Sequence, residues 1–166
     1  HNDFLYKQAN SPRSYDIVLY GSGLETEKLE GKVDYKGFVS SDELIATAEG
    51  EYGLAWYGSS LEGGSGALGE YLQYNAPHKM SLYIRCGLPI IVWEKAGLAP
   101  FVKKNNVGIC ISSLTELEDI LPKISAGQYM EMKKNVLQIA DKLSHGYYCF
   151  KAIKQACADL GVEIKG

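Results

Sequence analysis

The sequence predicts an α/β domain in which helices cover both faces of a parallel sheet, the doubly wound arrangement. Short apolar runs rich in β-branched residues alternate with helix-forming segments, which is the pattern of strand, helix, strand units. Residues 88–93 (Leu-Pro-Ile-Ile-Val-Trp) are apolar without interruption, as expected of a strand buried on both faces. Ligands bind such sheets beyond the carboxyl ends of the strands, so the loops that follow the strands form the candidate site.

Three strands and one helix are predicted in the first part of the chain. The strands are short and bounded by glycine or polar residues, and they are predicted at residues 15–20, 32–37 and 53–57. Gly21-Ser22-Gly23 ends the first of them. Ser40, with Glu43 three residues later, has the spacing of a capping box and predicts a helix over residues 44–48.

Residues 58–69 contain five glycines, which predicts a long mobile loop after the third strand. The string Gly64-Ser65-Gly66-Ala67-Leu68-Gly69 also matches the GxGxxG fingerprint of dinucleotide-binding proteins, with Glu94 as an acidic residue farther along. In that fingerprint the first glycine directly follows the strand, whereas the strand predicted here ends near Tyr57. We therefore favour a flexible loop over a site for NAD. Neither GxxxxGKS nor GxxxxGKT occurs, so a P-loop is excluded.

The alternation of helices and strands continues in the second half of the chain. Asn75 and Pro77 supply a cap and an early-turn proline, and Gly87 supplies a stop, so a helix is predicted over residues 78–86. Two further strands are predicted at residues 88–93 and 107–111, and a helix between them over residues 96–105.

Capping boxes and apolar spacing predict the helices of the C-terminal part. Ser113 with Glu116 and Ser125 with Gln128 repeat the capping-box spacing, and the first of these boxes precedes a helix over residues 117–121. Apolar residues at steps of three and four then predict two amphipathic helices, with Met132, Val136, Ile139 and Leu143 on one and Phe150, Ile153, Cys157 and Leu160 on the other.

Composition indicates one soluble domain. The chain has 166 residues, of which 46% are hydrophobic and 22% charged, and this is enough for a single domain over residues 1–166. Its 17 basic and 20 acidic residues give a net charge of -3, too little cationic field to hold a nucleic-acid backbone, which excludes a dedicated nucleic-acid binder. The longest apolar run is far shorter than the roughly 20 residues of a membrane span, and no signal region opens the chain. We expect a cytoplasmic protein without a transmembrane segment.

The four cysteines show neither a metal-ligand spacing nor a disulfide framework, and we interpret them as reduced core thiols: Cys86, Cys110, Cys149 and Cys157. The sequence therefore predicts no metal site. The chain opens with His1 instead of Met and runs almost at once into the first predicted strand. It is expected to be an excised piece, with His1 as a tag remnant.

The sharpest candidate for ligand binding is the segment Tyr74-Asn75-Ala76-Pro77-His78-Lys79-Met80-Ser81. The first turn of the predicted helix leaves backbone N–H groups free, and the helix dipole adds about half a positive charge at this end. Lys79 places a full positive charge against that dipole, an unfavourable position unless an anion binds there. These residues indicate a phosphate site, with the alternative that Lys79 is merely solvated and His78 caps the helix. Tyr57 and Tyr74 flank this candidate site.

Several strings of the sequence, taken together, resemble a known family. They are Gly69-Glu70-Tyr71-Leu72, Tyr74-Asn75, Pro77-His78-Lys79, Ser81-Leu82-Tyr83 and Gly87-Leu88-Pro89-Ile90-Ile91-Val92-Trp93, with Gly53-Leu54-Ala55-Trp56 and Val107-Gly108-Ile109 beyond them. They are similar to the C-terminal domain of a family of bacterial nucleotide-sugar glycosyltransferases. That family includes glucosyltransferases that extend O-glycans on adhesins and galactofuranosyltransferases of polysaccharide synthesis. The resemblance covers almost all of the chain.

The resemblance implies a GT-B architecture, in which two Rossmann-like domains face each other across a cleft. Residues 1–166 would be the C-terminal half, which binds the UDP-sugar donor, while the protein's own N-terminal domain, absent here, binds the glycan or glycoconjugate acceptor. The implied reaction transfers a sugar from UDP to an acceptor hydroxyl without a metal ion or another cofactor. The general base is expected in the missing domain, so this fragment alone is expected to be inactive.

The resemblance also implies which residues bind the donor. Tyr74, Asn75, His78, Lys79 and Ser81 would line the diphosphate, the backbone of Gly37, Phe38 and Val39 would meet the base, and Gly21 and Ser22 would approach the phosphates or the sugar. Wider retaining relatives carry two glutamates eight residues apart where this chain has Tyr74 and Leu82, which leaves the stereochemical outcome open. The alternative function is a non-catalytic α/β module that binds a nucleotide or a protein partner.

Overall fold

A computed structural model describes residues 3–29 and 33–162 of the chain. His1, the expected tag remnant, and Lys32, the expected start of the second strand, lie outside these ranges. The α-helices are α1 (Asp3–Asn10), α2 (Ser41–Thr47), α3 (Gly66–Tyr71), α4 (His78–Arg85), α5 (Ala99–Asn105), α6 (Leu117–Ile120), α7 (Ala126–Ser144) and α8 (Tyr147–Asp159). The strands are β1 (Val18–Tyr20), β2 (Asp34–Gly37), β3 (Gly53–Ala55), β4 (Ile90–Trp93) and β5 (Gly108–Ile111).

All strand pairs of the described residues are parallel, which confirms the predicted α/β class. The strands form two sheets, β1 with β2 and a second sheet in the order β3, β4, β5. In the second sheet Ile90 lies opposite Gly53 on one side and Gly108 on the other. Parallel strands need crossover connections, and the helices between the strands supply them.

Strand β4 separates two apolar clusters, because successive side chains of a strand point to opposite faces. Ile90 and Val92 join one cluster, which is completed by residues of α4, α5 and α7. Ile91 and Trp93 join the other, which includes Phe4 of α1. All four side chains of β4 are buried. Both faces of the sheet are therefore covered. This confirms the predicted doubly wound arrangement and the burial of the apolar run on both sides.

Helix α1 is absent from the sequence-based prediction, which placed a strand almost at the start of the chain. Phe4, Gln8 and Ala9 are buried on the inner face of this helix. Its C-terminal end is closed by Arg13, whose Nη1 donates to the carbonyl oxygen of Gln8 at 3.3 Å and also to that of Ala9. The segment is short and lacks a capping box, so only its contacts with the rest of the domain reveal it.

Of the three predicted capping boxes, one forms completely and one forms only its first bond. Ser125 and Gln128 make a complete capping box at α7, with Ser125 N donating to Gln128 Oε1 at 2.9 Å. Ser40 accepts from Glu43 N at 3.2 Å and caps α2. The box predicted at Ser113 is wrong. Its side chain accepts from Thr115 N at 3.1 Å and caps a short 3-10 turn, whereas the Glu116 carboxylate accepts from Ser112.

The two C-terminal helices differ in how much they bury. The apolar stripe of α7 packs into the core through Met132, Val136 and Ile139. Helix α8 buries no residue, and Ile153 on its apolar stripe is 51% exposed. Periodicity predicted both helices correctly, although it did not distinguish a packed stripe from an exposed one. No helix within residues 3–29 and 33–162 has both the length and the apolar character that crossing a membrane requires.

All four cysteines are free thiols, as predicted. Cys86 and Cys110 are half-buried, and burial raises the pKa of both thiols. Cys149 is exposed on α8, so the interpretation of all four as core residues is wrong at this position.

The difference between α7 and α8 gives a matched test of burial. Ile139 is 6% exposed, and Ile139→Val is expected to lower the free energy of unfolding by about 0.5–1.5 kcal/mol, because it removes a packed methylene. Ile153→Val removes the same group from an exposed stripe and is expected to change the free energy of unfolding by less than about 0.5 kcal/mol. Urea denaturation of both variants measures the two values. Equal losses would show that α8 packs as tightly as α7.

Candidate functional site

The segment that leads into α4 is held by the turn after β4. Gly97 N donates to the carbonyl oxygen of Leu72 at 2.8 Å. A Cβ atom at Gly97 would stand 2.7 Å from the carbonyl oxygen of Gln73, so only glycine permits this approach. Asn75 N donates to the carbonyl oxygen of Tyr71 at 3.0 Å. The backbone that presents Tyr74 and Asn75 is therefore fixed on both sides.

The N-terminal end of α4 is uncapped. Pro77 is the N-cap residue, whereas the sequence predicted it one position later, in the first turn of the helix. Its side chain offers no hydrogen bond. Its carbonyl oxygen accepts from Met80 N at 2.9 Å. The N–H groups of His78 and Lys79 have no acceptor among the described residues. Two donors and the positive end of the helix dipole thus face outward at this end.

Lys79 lies half-buried at this end of the helix. Its Nζ atom is 4.6 Å from the centroid of the Tyr57 ring, within the range of a cation–π contact. No carboxylate of the described residues lies within ion-pair distance of it. Burial lowers the pKa of Lys79 below the usual 10.5. A positive charge that is partly desolvated and lacks a counter-ion makes this end of α4 a good place for an anion.

The glycine-rich segment after β3 is shorter than the loop predicted over residues 58–69, because α3 begins at Gly66, and hydrogen bonds hold its first part. The indole N–H of Trp56 donates to the carbonyl oxygen of Ser60 at 3.1 Å. Leu61 accepts from Leu114 N at 2.9 Å and from the Ser113 hydroxyl at 3.2 Å. The two bonds to Leu61 come from residues far along the chain, so glycine content alone did not reveal them.

The GxGxxG string is explained by packing. A Cβ atom at Gly64 would stand 2.5 Å from the carbonyl oxygen of Gly69 and 2.7 Å from the Trp93 ring. Gly66 begins α3 with a φ of +70°, a left-handed conformation that favours glycine. Each glycine of the pattern therefore has a local structural reason, without a dinucleotide.

A second group of candidate residues lies where β1 and β2 end. Gly21 N donates to the carbonyl oxygen of Gly37 at 2.8 Å, and the Tyr35 hydroxyl donates to the carbonyl oxygen of Gly21 at 2.7 Å. Both glycines have positive φ values, +142° and +74°. Ser22 and Phe38 are exposed beside them, and Phe38 is 76% exposed. No pattern in the sequence singled out Tyr35.

The predicted residues thus form two groups. Gly21, Ser22, Gly37, Phe38 and the half-buried Val39 share the edge of β1 and β2, whereas Tyr74, Asn75, His78, Lys79 and Ser81 lie at the start of α4. Among hydrogen bonds, ion pairs and ring contacts of the described residues, none joins the two groups. Tyr74 is 85% exposed, and His78 and Ser81 are also exposed. Tyr57, which the sequence placed only beside the site, is in contact with Lys79.

Five of the ten candidate residues are exposed: Ser22, Phe38, Tyr74, His78 and Ser81. Surface grooves of about 650 Å³ and about 300 Å³ lie elsewhere, along α7 and between β5 and α7. Among the described residues, no three His, Cys, Asp or Glu side chains are grouped as metal ligands.

Known proteins with similar sequences are glycosyltransferases. Residues 1–156 match the family described as glucosyltransferase 3-like, C-terminal domain. A β-1,6-galactofuranosyltransferase, WbbI of Escherichia coli (strain K12), is 34% identical over 148 residues, which are 87% of this chain and 44% of the relative. Glucosyltransferase 3 of Streptococcus gordonii is 28% identical over 82% of this chain and 40% of its own length. Glucosyltransferase 3 of Streptococcus parasanguinis is 20% identical over 86% of this chain and 41% of its own length. The chain therefore spans less than half the length of these curated relatives.

Proposed function

The chain belongs to the family of glucosyltransferase 3-like C-terminal domains, and from this we propose that it is the donor-binding half of a GT-B glycosyltransferase. Its substrates are a UDP-sugar and a hydroxyl group of a glycan or glycoconjugate. The observation that carries the proposal is the half-buried Lys79, which has no carboxylate partner among the described residues and stands beside two free N–H groups. A diphosphate supplies the negative charge and the acceptor oxygens that this arrangement lacks.

In the proposed reaction the bond between the sugar and the terminal phosphate oxygen of UDP breaks as the acceptor oxygen bonds to the sugar. Negative charge then grows on the departing UDP. We place that charge at the start of α4, where the Lys79 ammonium and the N–H groups of His78 and Lys79 stabilise the transition state. We assign this role to the chain's own groups rather than to a metal ion.

The other half of the reaction is placed on the protein's own N-terminal domain. The relatives are about twice as long as this chain, and the matching part is described as a C-terminal domain. The proton of the acceptor hydroxyl passes to a general base there. The exposure of Tyr74, His78 and Ser81 supports this division, because a second domain would be needed to enclose the donor.

The donor sugar is held differently from the way implied for retaining relatives with two glutamates. Tyr74 and Leu82 stand at those positions, and neither carries a carboxylate. We propose that Ser22 and the exposed aromatic ring of Tyr74 take over part of this contact.

The unpaired thiols support a cytoplasmic location, where UDP-sugars are the usual donors.

Binding and transfer are expected to separate in this 166-residue chain. Calorimetry should show saturable binding of UDP, while incubation with a UDP-sugar and a glycan acceptor should yield no product above the buffer blank, because the acceptor side of the cleft is missing. The longer protein, tested with the same substrates, is the positive control. Turnover by this chain alone would contradict the division of the active site, and failure to bind UDP would contradict the proposal itself.

A further inference from the structure

The two residues that follow Tyr57 are held by the N-terminal helix. Phe4 N donates to the carbonyl oxygen of Gly58 at 3.4 Å. Lys7 Nζ donates to the carbonyl oxygen of Ser59 at 2.8 Å. Within the described part of the chain these carbonyl groups accept no other hydrogen bond. Helix α1 thus donates to both carbonyl groups that immediately follow Tyr57.

Packing reinforces this attachment. Phe4 is 6% exposed and lies in the same apolar cluster as Trp56, and Tyr57 packs against that cluster. Gly58 has a φ of +103°, and a Cβ atom there would stand 2.4 Å from the carbonyl oxygen of Ser65. The backbone at Gly58 is therefore confined, so a shift of α1 is transmitted to Tyr57 rather than absorbed.

The chain of contacts ends at Lys79, because the Tyr57 ring lies against its ammonium group. We propose that Lys7 is a positioning residue: by holding Ser59 it keeps the Tyr57 ring against Lys79 and so presents the Lys79 ammonium to the bound anion. Its effect on nucleotide affinity rests on the proposed function, whereas its effect on Lys79 itself does not. Lys7 has no direct part in binding or in chemistry.

Loss of the Lys7 contact has a defined physical consequence. Ser59 gains conformational freedom, so the backbone after Tyr57 is held by fewer contacts and the Tyr57 ring spends less time over Lys79. Water then reaches the ammonium more often, which relieves its desolvation and lets the side chain adopt more rotamers. UDP must then both order and dehydrate Lys79 when it binds.

Three variants of the 166-residue chain test the inference: Lys7→Met, Lys7→Arg and, as the matched control, Lys104→Met on the exposed face of α5. The Met variants both remove one exposed positive charge. NMR of chains with ¹³Cε-labelled lysine follows the titration of Lys79, and calorimetry measures UDP affinity. Lys7→Met is expected to raise the pKa of Lys79 toward the usual 10.5 and to weaken UDP binding about two- to tenfold, the range for one hydrogen bond.

The controls separate positioning from a general effect of charge or stability. Lys7→Arg, which can still donate to Ser59, is expected to restore both the Lys79 titration and the affinity, and Lys104→Met is expected to change neither. An unchanged Lys79 titration in Lys7→Met would overturn the inference, even if that variant melted at a lower temperature. If Lys79 shifts as expected but the wild-type chain binds no UDP, the positioning contact stands and the proposed function fails.

Discussion

Gly108→Ala is expected to lower the free energy of unfolding by at least about 3 kcal/mol, because the added methyl group overlaps backbone atoms that have no room to move. A Cβ atom at Gly108 would stand 1.9 Å from the carbonyl oxygen of Ile90 and 2.6 Å from its nitrogen. Ile90 is fully buried in the middle strand of the second sheet, where it pairs with both neighbours. Separating β5 from β4 is the only relief, and it breaks the sheet on which both apolar clusters rest.

Gly127→Ala is the matched control. The nearest atom to a Cβ at Gly127 is 4.0 Å away, and the residue lies in the first turn of α7. Alanine is expected to stabilise the fold there by a few tenths to about 1 kcal/mol, since it restricts the unfolded chain more than glycine does. Urea denaturation of both variants measures the difference. Similar stabilities for the two would show that β4 and β5 are not packed as closely as described.

Lys79→Ala is expected to weaken UDP binding by about 1 to 3 kcal/mol, the range for a charge-assisted hydrogen bond, and to leave UMP binding almost unchanged. The reason is that Lys79 stands at the end of α4, where we place the distal phosphate of the donor. Calorimetry with both nucleotides provides its own control, since only UDP carries the second phosphate. Equal losses for UDP and UMP would remove Lys79 from the diphosphate site.

The same residue predicts how UDP affinity depends on pH. Burial lowers the pKa of Lys79 in the folded chain below the usual 10.5. UDP binds the protonated form, so affinity is expected to be complete below the folded pKa and to fall as the pH rises through it. Unfolding stability moves in the opposite direction, because in that window the unfolded chain holds more protons on Lys79 than the folded chain does. Lys79→Arg stays charged and should remove the fall in UDP affinity; a fall that persists in this variant would assign it to another group.

Local patterns determined the elements and their faces. The uninterrupted apolar run placed β4 between two helical layers, and residues 3–29 and 33–162 show both layers. Spacing alone also predicted the cap of α7 at Ser125 and the position of Lys79 in the first turn of α4. Each of these features depends on residues that lie close together in the chain. A short stretch of sequence therefore contains all the residues that determine it.

Tertiary structure decided whatever depends on residues distant in the chain. Helix α1 is stabilised by its contacts with the segment after β3, and that segment is anchored by residues after β5, so neither could be predicted from local composition. Amphipathic spacing described the stripe of α8, but whether such a stripe is buried depends on what packs against it, and α8 buries no residue. The contact of Tyr57 with Lys79 joins the segment after β3 to the start of α4. Its position is set by the packing of the sheet and of α1, because no pattern within either segment specifies the other.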